Sequence, residues 1–401
     1  MRRSHGHNGL HGSSEREPAA DRPLLPRGLQ TVSTRHGAGS KYRPFLMLDR
    51  VIVAHTGISP GFRDAIDRSA QQHPWEAHGL DQPTRFEALL RIRSAVRVVS
   101  LLPSATELLC AAGGADLLVG RSHECDWPKA ILDRPVLTGQ RVTATTSAEI
   151  DRDVRETLGG DAPASSLYTL DTDQLAALRP DLILTQDLCD VCSIDLATVR
   201  RVAAELEPAP AIVSLDATSL EDVLDDLLRI GDAIERPAPA HAAVVALREV
   251  YWSAVDHVNP FVHGPAVAFL EWMDPLFVGG HWTPQLIEAA GGRHELNPPG
   301  AKSHTITPEA LVTASPDRLV ICPCGYDLES IRRELPTLTE QRWWRALPAV
   351  VDRNVVMVDG NAMFNRPGPR LVEAFRWLVG WLNDRPELVP EGFPVETVPA
   401  H

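Results

Sequence analysis

Histidine, cysteine, tryptophan and acidic side chains are concentrated in a few short loops, each of which follows a predicted strand. Such side chains supply metal ligands, general acids and bases, and flat aromatic surfaces for stacking. The loops are residues 123–127, 186–189, 271–274, 280–282, 322–326 and 364–369. Ligands collect at the carboxyl ends of the strands in a doubly wound α/β lobe, so these loops form the candidate site.

A metal–thiolate site is the first hypothesis for these loops. Cys189 and Cys192 have a chelating Cys-x-x-Cys spacing, and Cys125 and Cys324 could complete a shell. The signal is weak, because a structural zinc site usually shows two paired motifs close together in sequence. We therefore favour reduced, partly buried thiols and expect no metal site.

Enzymatic chemistry has little support in the sequence. The chain contains no Gly-x-Ser-x-Gly elbow, no phosphate-cradling glycine loop and no His-Glu-x-x-His helix. Acidic residues are plentiful in the loops, but nothing in their spacing pairs two of them for acid–base work. We expect a binding protein, not an enzyme, and no catalytic cofactor.

Tryptophans in the loops are more informative than the cysteines. Trp127, Trp272 and Trp282 all fall at strand ends, where an indole face is available to stack on a large planar ligand. Each could instead fill the core of its lobe, but three at strand ends favour a shared role in ligand binding. His123 is a better candidate than His281 to contact a metal centre or a polar substituent.

Two echoed segments indicate how these loops are positioned. Residues 103–114 and 282–292 both read as a helix that ends at Gly-Gly, and residues 178–186 and 314–322 both lead through Pro-Asp into a strand. The pattern predicts two α/β lobes with mostly parallel sheets and a ligand cleft between them. The first copy has the longer insertion, which is where we expect specificity to arise.

The lobes are separated by about forty residues of predicted helix, which lack a flexible linker. A helix starting at Pro237 or Pro239 would join the lobes rigidly. The predicted organisation is a disordered tail (1–40), an uncharacterised extension (41–95), an N-terminal lobe (96–217), a helical connection (218–260), a C-terminal lobe (261–385) and a C-terminal tail (386–401).

Charge and hydropathy narrow the class of partner. The net charge is −14, and residues 1–95 carry 14 Lys and Arg against 9 Asp and Glu, so the rest of the chain is strongly acidic. Such a body disfavours nucleic acid and anionic membranes as partners. An arginine pair opens the chain, but no apolar signal region follows it, so the sequence as it stands predicts a cytoplasmic protein.

Four motifs in order along the chain resemble the helical-backbone substrate-binding proteins of ABC importers. They are Leu-Pro-Ser-Ala-Thr-Glu at 102–107, Gly-Arg-Ser-His-Glu-Cys-Asp-Trp-Pro at 120–128, Leu-Ile-Leu-Thr-Gln-Asp at 182–187 and Phe-Asn-Arg-Pro-Gly-Pro-Arg at 364–370. The nearest branch of this Fe/B12 type of periplasmic-binding protein is the cobalamin (vitamin B12) binders. The resemblance implies two Rossmann-like lobes joined by a long rigid helix, and a monomer that binds a corrinoid non-covalently.

In that family the ligand lies flat in the cleft, and the resemblance places Trp127 against the corrin ring. It also implies an ABC permease as partner, and relatives that are periplasmic or at the cell surface. Two alternatives remain: another chelate (heme or a ferric siderophore) in the same fold, or a cytosolic metal-thiolate or corrinoid-processing enzyme using Cys125, Cys189 and Cys324. The candidate ligand-binding residues are Ser104, His123, Glu124, Cys125, Trp127, Gln186, Asp187, Cys189, Glu271, Trp272, His281, Trp282, Cys324, Tyr326, Phe364, Asn365 and Arg366.

Overall fold

The computed structural model describes residues 95–141, 144–158, 167–187 and 194–399. All of them belong to one compact unit, residues 82–401. The predicted tail and extension (1–94), together with Cys189 and Cys192, lie outside the described residues. Among the described helices, none has the length and apolar character that a membrane crossing requires.

The first lobe is built around a parallel four-stranded sheet in the order β2-β1-β5-β6. A separate antiparallel pair, β3 and β4, lies in the insertion. The elements are β1 (Val98–Ser100), α1 (Pro103–Ala111), β2 (Leu118–Arg121), β3 (Thr138–Gln140), α2 (Ser147–Leu158), β4 (Tyr168–Leu170), α3 (Thr172–Leu178), β5 (Leu182–Gln186), α4 (Leu196–Ala204) and β6 (Ala211–Leu215).

Two consecutive helices connect the lobes, as the sequence predicts. Helix α5 (Leu220–Ala233) starts at Ser219, whose hydroxyl accepts from the Asp222 amide in a reciprocal capping box. Helix α6 (Pro237–Val255) begins at a proline, which suits a first helical turn. Its 19 residues correspond to roughly 28 Å of rigid helix.

The second lobe has a six-stranded mixed sheet in the order β12-β11-β10-β7-β8-β9. Its centre, β11-β10-β7, is parallel, and the strands on both sides are antiparallel. The elements are β7 (Val267–Trp272), β8 (Phe277–Val278), α7 (Trp282–Ala289), β9 (His304–Thr305), α8 (Pro308–Ala314), β10 (Arg318–Ile321), α9 (Leu328–Glu334), α10 (Pro336–Thr339), α11 (Pro348–Val351), β11 (Val355–Val358), α12 (Leu371–Leu382) and β12 (Val395–Thr397).

The two echoed segments fold alike. Helices α1 and α7 both end at glycines with left-handed φ, +77° at Gly113 and +88° at Gly291. The aspartate of each Pro-Asp segment then links its strand to the first strand of the lobe. The Asp181 carboxylate accepts from the Arg97 amide and the Asp317 carboxylate accepts from the Ala266 amide, both at 2.8 Å. The predicted fold class of two similar α/β lobes is confirmed.

One apolar core runs through both lobes and the connection. It joins Leu108 of α1, Leu227 of α5, Val244 of α6 and Phe375 of α12. Smaller clusters fill the rest of each lobe. Because α6 packs against both lobes, the lobes are fixed to a common helix rather than hung on a flexible linker.

Candidate functional site

The carboxyl ends of the strands in the two lobes face each other. A cluster of charged residues joins the lobes there. Arg370 binds the Glu107 carboxylate through two hydrogen bonds, Nε to Oε2 at 2.9 Å and Nη2 to Oε1 at 2.6 Å. Arg366 donates to Asp126 Oδ1 at 2.5 Å and contacts Glu107 Oε1 at 3.4 Å. We call Glu107, Asp126, Arg366 and Arg370 the interlobe clamp. Glu107 is only 4% exposed and Asp126 is exposed, so the clamp links the lobes from a buried carboxylate out to the surface.

Trp127 lies beside this clamp and is the most accessible aromatic residue of the predicted site. Its side chain is 44% exposed, and the Arg370 guanidinium carbon lies 5.2 Å from the ring centroid. The cation over the ring holds the indole in place. The accessible remainder of the indole is available to a flat ligand.

His123 lies at the base of the same loop and is held as a neutral imidazole. The Thr138 hydroxyl accepts from the His123 amide at 3.0 Å, lies 2.7 Å from Nδ1 and donates to Ser122 Oγ at 2.9 Å. The Thr138 hydroxyl therefore engages the imidazole through Nδ1. Nε2 is buried and has no partner among the described residues. Burial lowers the pKa of His123 below its ordinary value.

Glu271 and Cys324 come from neighbouring strand ends of the second lobe. The Cys324 amide donates to the Glu271 carbonyl at 3.1 Å. The Glu271 carboxylate accepts from the Ser303 hydroxyl and from the Gly280 amide, and burial raises its pKa to about 7. The Cys324 side chain is exposed, yet burial raises its thiol pKa to about 12, with smaller contributions from Glu271 and Glu124.

Glu124 adds a further acid from the first lobe. Burial raises the pKa of its carboxyl, the nearby Arg366 lowers it and Asp126 raises it. The Glu124 carbonyl also accepts a hydrogen bond from Arg366 at 3.3 Å. Burial has the largest effect on the pKa of Tyr168 and raises it. Glu124 and Cys324 raise it further, so Tyr168 lies near both of them.

The cysteines of the described residues are protonated thiols. Cys125 is fully buried, and the Thr106 hydroxyl donates to its sulfur at 3.0 Å. Burial raises its pKa to about 11. Across the described ranges, no three His, Cys, Asp or Glu side chains are placed to hold a metal ion. The proposed partners Cys189 and Cys192 are outside those ranges. Two of the four cysteines of the metal-thiolate alternative therefore have no described position.

Trp282 and Phe364 lie in the core, although the sequence placed them at the ligand. Trp282 is 6% exposed and donates from Nε1 to the Phe364 carbonyl at 2.7 Å. Phe364 is fully buried, 5.1 Å edge-to-face from Phe269. Ser104 and Gln186 are buried as well. In this conformation these four residues support the cleft wall rather than line it.

Trp272 and Tyr326 contact the other lobe. The Trp272 indole N–H donates to the Ser147 carbonyl at 3.1 Å, and the Tyr326 hydroxyl donates to the Thr145 carbonyl at 3.4 Å. The two rings meet edge-to-face at 5.3 Å. Both predicted ligand aromatics are thus engaged with the insertion of the first lobe.

The remaining predicted residues are dispersed around this centre. Asp187 is exposed at the end of β5. Asn365 donates to the carbonyls of Cys322 at 2.9 Å and Gly360 at 3.2 Å, which fixes the loop before the clamp. His281 has an unusual φ of +52° and stacks on Trp282 at 5.6 Å. A non-glycine residue with such a φ is strained and is held there by its surroundings.

The sequence interpretation did not single out several residues of this region: Glu107, Asp126, Tyr168, Glu334 and Arg370. Glu107, Asp126 and Arg370 stood inside the quoted motifs, and Asp126 also lies in the predicted loop 123–127. A carboxylate on the apolar face of α1 was the available signal, since a charge there requires a buried partner. The partner itself lies more than 250 residues away in sequence.

Comparisons with known proteins agree with this architecture. No family model matches the chain. Over 317 residues it is 23% identical to the vitamin B12-binding protein of Yersinia pestis (strain Pestoides F), covering 75% of this chain and 91% of that protein.

Solved structures share the fold. The periplasmic vitamin B12-binding protein BtuF of Vibrio cholerae matches with a TM-score of 0.52 at 18% identity, over 73% of this chain and 98% of BtuF. The periplasmic heme-binding protein BhuT, in complex with two hemes, matches with a TM-score of 0.54 at 22% identity, over 72% of this chain and 98% of BhuT. A periplasmic heme-binding protein from Pseudomonas aeruginosa matches with a TM-score of 0.54 at 22% identity, over 76% and 96%. The resemblance holds at the level of the fold, and each of these relatives is a vitamin B12-binding or heme-binding protein.

Proposed function

We propose that this protein binds a corrinoid, cobalamin in the first instance, non-covalently in the cleft between its lobes. The observation that carries the proposal is Trp127, a half-exposed indole held by Arg370 at the edge of an acidic cleft. An immobilised aromatic face offers a large contact area at little cost in conformational entropy.

The charges around the cleft favour a corrinoid over an anionic chelate. Arg366 and Arg370 are already paired with Glu107 and Asp126 inside the protein. The acid beside Arg366 is Glu124, and Glu271 is a further acid beside Cys324. A heme brings two propionate carboxylates, which would be repelled here, whereas the peripheral amides of a corrin donate hydrogen bonds to carboxylates.

Heme is the second candidate, because His123 offers a suitable ligand chemistry. A neutral imidazole whose Nδ1 is held by a hydroxyl leaves Nε2 as a potential iron ligand. That nitrogen is buried, so His123 would have to turn toward the cleft before it could bind iron. The curated and structural relatives include binders of both chelates.

Titration of the purified full-length protein with cyanocobalamin and with hemin separates the two candidates. We expect cyanocobalamin to bind and to raise the melting temperature with concentration. Trp127→Ala should weaken that affinity by about 30-fold, the loss typical of an interface hot spot. Trp252→Ala is the matched control, since Trp252 is 59% exposed on α6, away from the strand ends. Binding of hemin alone would transfer the proposal to heme, and binding of neither would refute both.

A transport role implies a partner. Relatives of this fold include a protein described as an ABC transporter substrate-binding protein from Listeria monocytogenes. We propose that this chain likewise delivers its ligand to an ABC permease, or is a relative of such proteins with a role inside the cell. Cell fractionation with an antibody against the native protein tests the location. Copurification with membrane-embedded permease subunits tests the partner.

A further inference from the structure

Helix α2 and the residues leading into it lie across both lobes. We call Thr145–Leu158 the strap. Ile150 on its first turn packs against the core of the second lobe, and Val154, one turn later, packs against the core of the first. Residues four apart share one face of a helix, so a single apolar face of the strap is divided between the lobes.

Three side chains of the second lobe hold the start of the strap. Glu334 accepts from the Ser147 amide at 2.5 Å, at the amino end of the helix, where a carboxylate also meets the positive end of the helix dipole. Trp272 donates to the Ser147 carbonyl and Tyr326 donates to the Thr145 carbonyl. Glu334 is 8% exposed, so this is a buried cap supplied by the opposite lobe.

The rest of this contact is not closely packed. A cavity of about 240 Å³ lies beneath the start of the strap, and its lining includes Asp274, Ser330, Arg333 and Thr337. Glu334 also lines it, and the Tyr326 side chain lies against the same carboxylate. The strap is therefore held by a few polar contacts and one apolar side chain, which is typical of a segment that opens locally.

We propose that the strap gates the cleft, with Glu334 as the residue that holds it closed. In the closed state Trp272 and Tyr326 are bonded to the strap. Its release frees both aromatic side chains to contact a ligand at the strand ends. The identity of the ligand rests on the function proposed above, whereas the latch itself does not.

Hydrogen exchange of the ligand-free protein tests the latch. Glu334→Ala should increase exchange of the amides at the start of α2 by about tenfold, the effect of losing a hydrogen bond to a charged group, without changing peptides from β1 or β5. Glu334→Gln keeps an acceptor oxygen and should restore most of the protection. Glu329→Ala, an exposed position on the same helix α9, is the control. Should Glu334→Ala fail to fold, Trp272→Phe removes one donor to the strap and should increase exchange in the same region.

Alkylation of Cys324 tests the gate without a ligand. The thiol is exposed at the end of β10, so under the proposed gate a bulky fluorescein maleimide should label it several-fold faster in Glu334→Ala, as read by mass spectrometry. Labelling by small iodoacetamide should not change. Equal maleimide rates, or unchanged exchange of α2, would overturn the proposal. Faster uptake of cyanocobalamin by Glu334→Ala would show that the strap also controls entry of this ligand. If neither wild type nor Glu334→Ala binds cobalamin, the proposed function is refuted, whereas hydrogen exchange and maleimide labelling still decide whether the strap is a gate.

Discussion

At the scale of single residues, the interlobe clamp is the costliest feature to disturb. Glu107 is buried and accepts from both Arg366 and Arg370. Glu107→Ala should lower the free energy of unfolding by about 3–5 kcal/mol, because it leaves the largely buried guanidinium of Arg370 without its carboxylate. Urea unfolding followed by circular dichroism measures the loss.

A surface pair of the same chemistry gives the control for that measurement. Arg201 lies on α4 and Glu205, four residues later, directly follows the helix, and both are exposed. Glu205→Gln should change the free energy of unfolding by no more than about 0.5 kcal/mol. A clamp variant that loses as little as this would show that the lobes are held together elsewhere.

Glu271 makes the stability of the protein depend on pH. Burial raises its pKa from 4.5 to about 7, so between these values the folded protein holds a proton that the unfolded chain has released. The free energy of unfolding should therefore fall as the pH rises from 4.5 to 7. Relative to Glu271→Gln, wild type should lose about 1–3 kcal/mol as the pH rises through this interval, and the difference should level off about one pH unit above the folded pKa.

The comparison with the glutamine variant isolates this carboxyl group. The side chains that face the Glu271 carboxyl group are Ser303, Cys322 and Cys324. Both thiols stay protonated between pH 4.5 and 7 because their pKa values are raised. Asp226 has its pKa raised to about 6 by burial and titrates in the same range, but it is present in both proteins and cancels. A difference that is constant with pH would contradict a raised pKa for Glu271.

Sequence reasoning reached about half of the site at this scale. Strand-end position correctly brought Glu124, Glu271, Cys324 and Arg366 near one another, because parallel strands end at a common edge. The same argument could not tell an indole that lines a cleft from one that fills a core. Trp282 is buried because it starts α7 beneath the Phe364 loop, a contact 82 residues away in sequence.

At the scale of elements, the close crossing of α5 and α6 makes the joint between the lobes stiff. A Cβ atom at Gly231, in the interior of α5, would collide with the Cβ of Ala240 on α6. Gly231→Ala gains helix propensity but forces the helices apart, and should cost about 1–3 kcal/mol of unfolding free energy.

The reciprocal substitution provides the decisive comparison. Ala240→Gly removes the opposing methyl group, so the double variant Gly231→Ala/Ala240→Gly should recover most of the loss. The two changes should therefore be strongly non-additive in thermal unfolding. Additive losses would mean that the crossing is not tight at this position.

Helix starts were predictable because they rest on local chemistry, as at the Ser219 capping box and at Pro237. The short strands β3, β4, β9 and β12 were not predicted. Each has two or three residues, too few for an alternating pattern to be read, and each forms only by pairing with a distant segment. Such elements depend on tertiary contacts and leave little trace in sequence.

At the scale of the whole molecule, the repeat explains both the rigidity and the asymmetry. The equivalent helices α1 and α7 carry Glu107 and Gln285 at matching positions, and both side chains bond outside their own helix. Glu107 reaches the opposite lobe, whereas Gln285 accepts from the Leu220 amide at the start of α5. The long insertion of the first lobe then contributes both the loop of Trp127 and the strap, and its role in specificity stays a prediction.

This architecture predicts that ligand binding moves the strap and not the lobes. Helix α6 packs on both lobes, where Tyr251 contacts Phe375 at 4.5 Å, and the clamp closes the opposite side. Spin labels at Glu205 and Glu340, one on each lobe, should keep their separation within about 2 Å when cobalamin is added. A label at Arg152 on the strap should move relative to Glu340 in Glu334→Ala.

Labels on unnatural amino acids suit this measurement, because the chain carries six cysteines. Pulsed electron paramagnetic resonance gives both distance distributions under the same conditions. A lobe-to-lobe change of more than about 5 Å with a stationary strap would indicate hinge closure instead. A stationary lobe pair with a mobile strap means that access to the cleft is controlled by one helix of the insertion, whose closed position depends on a carboxylate of the opposite lobe.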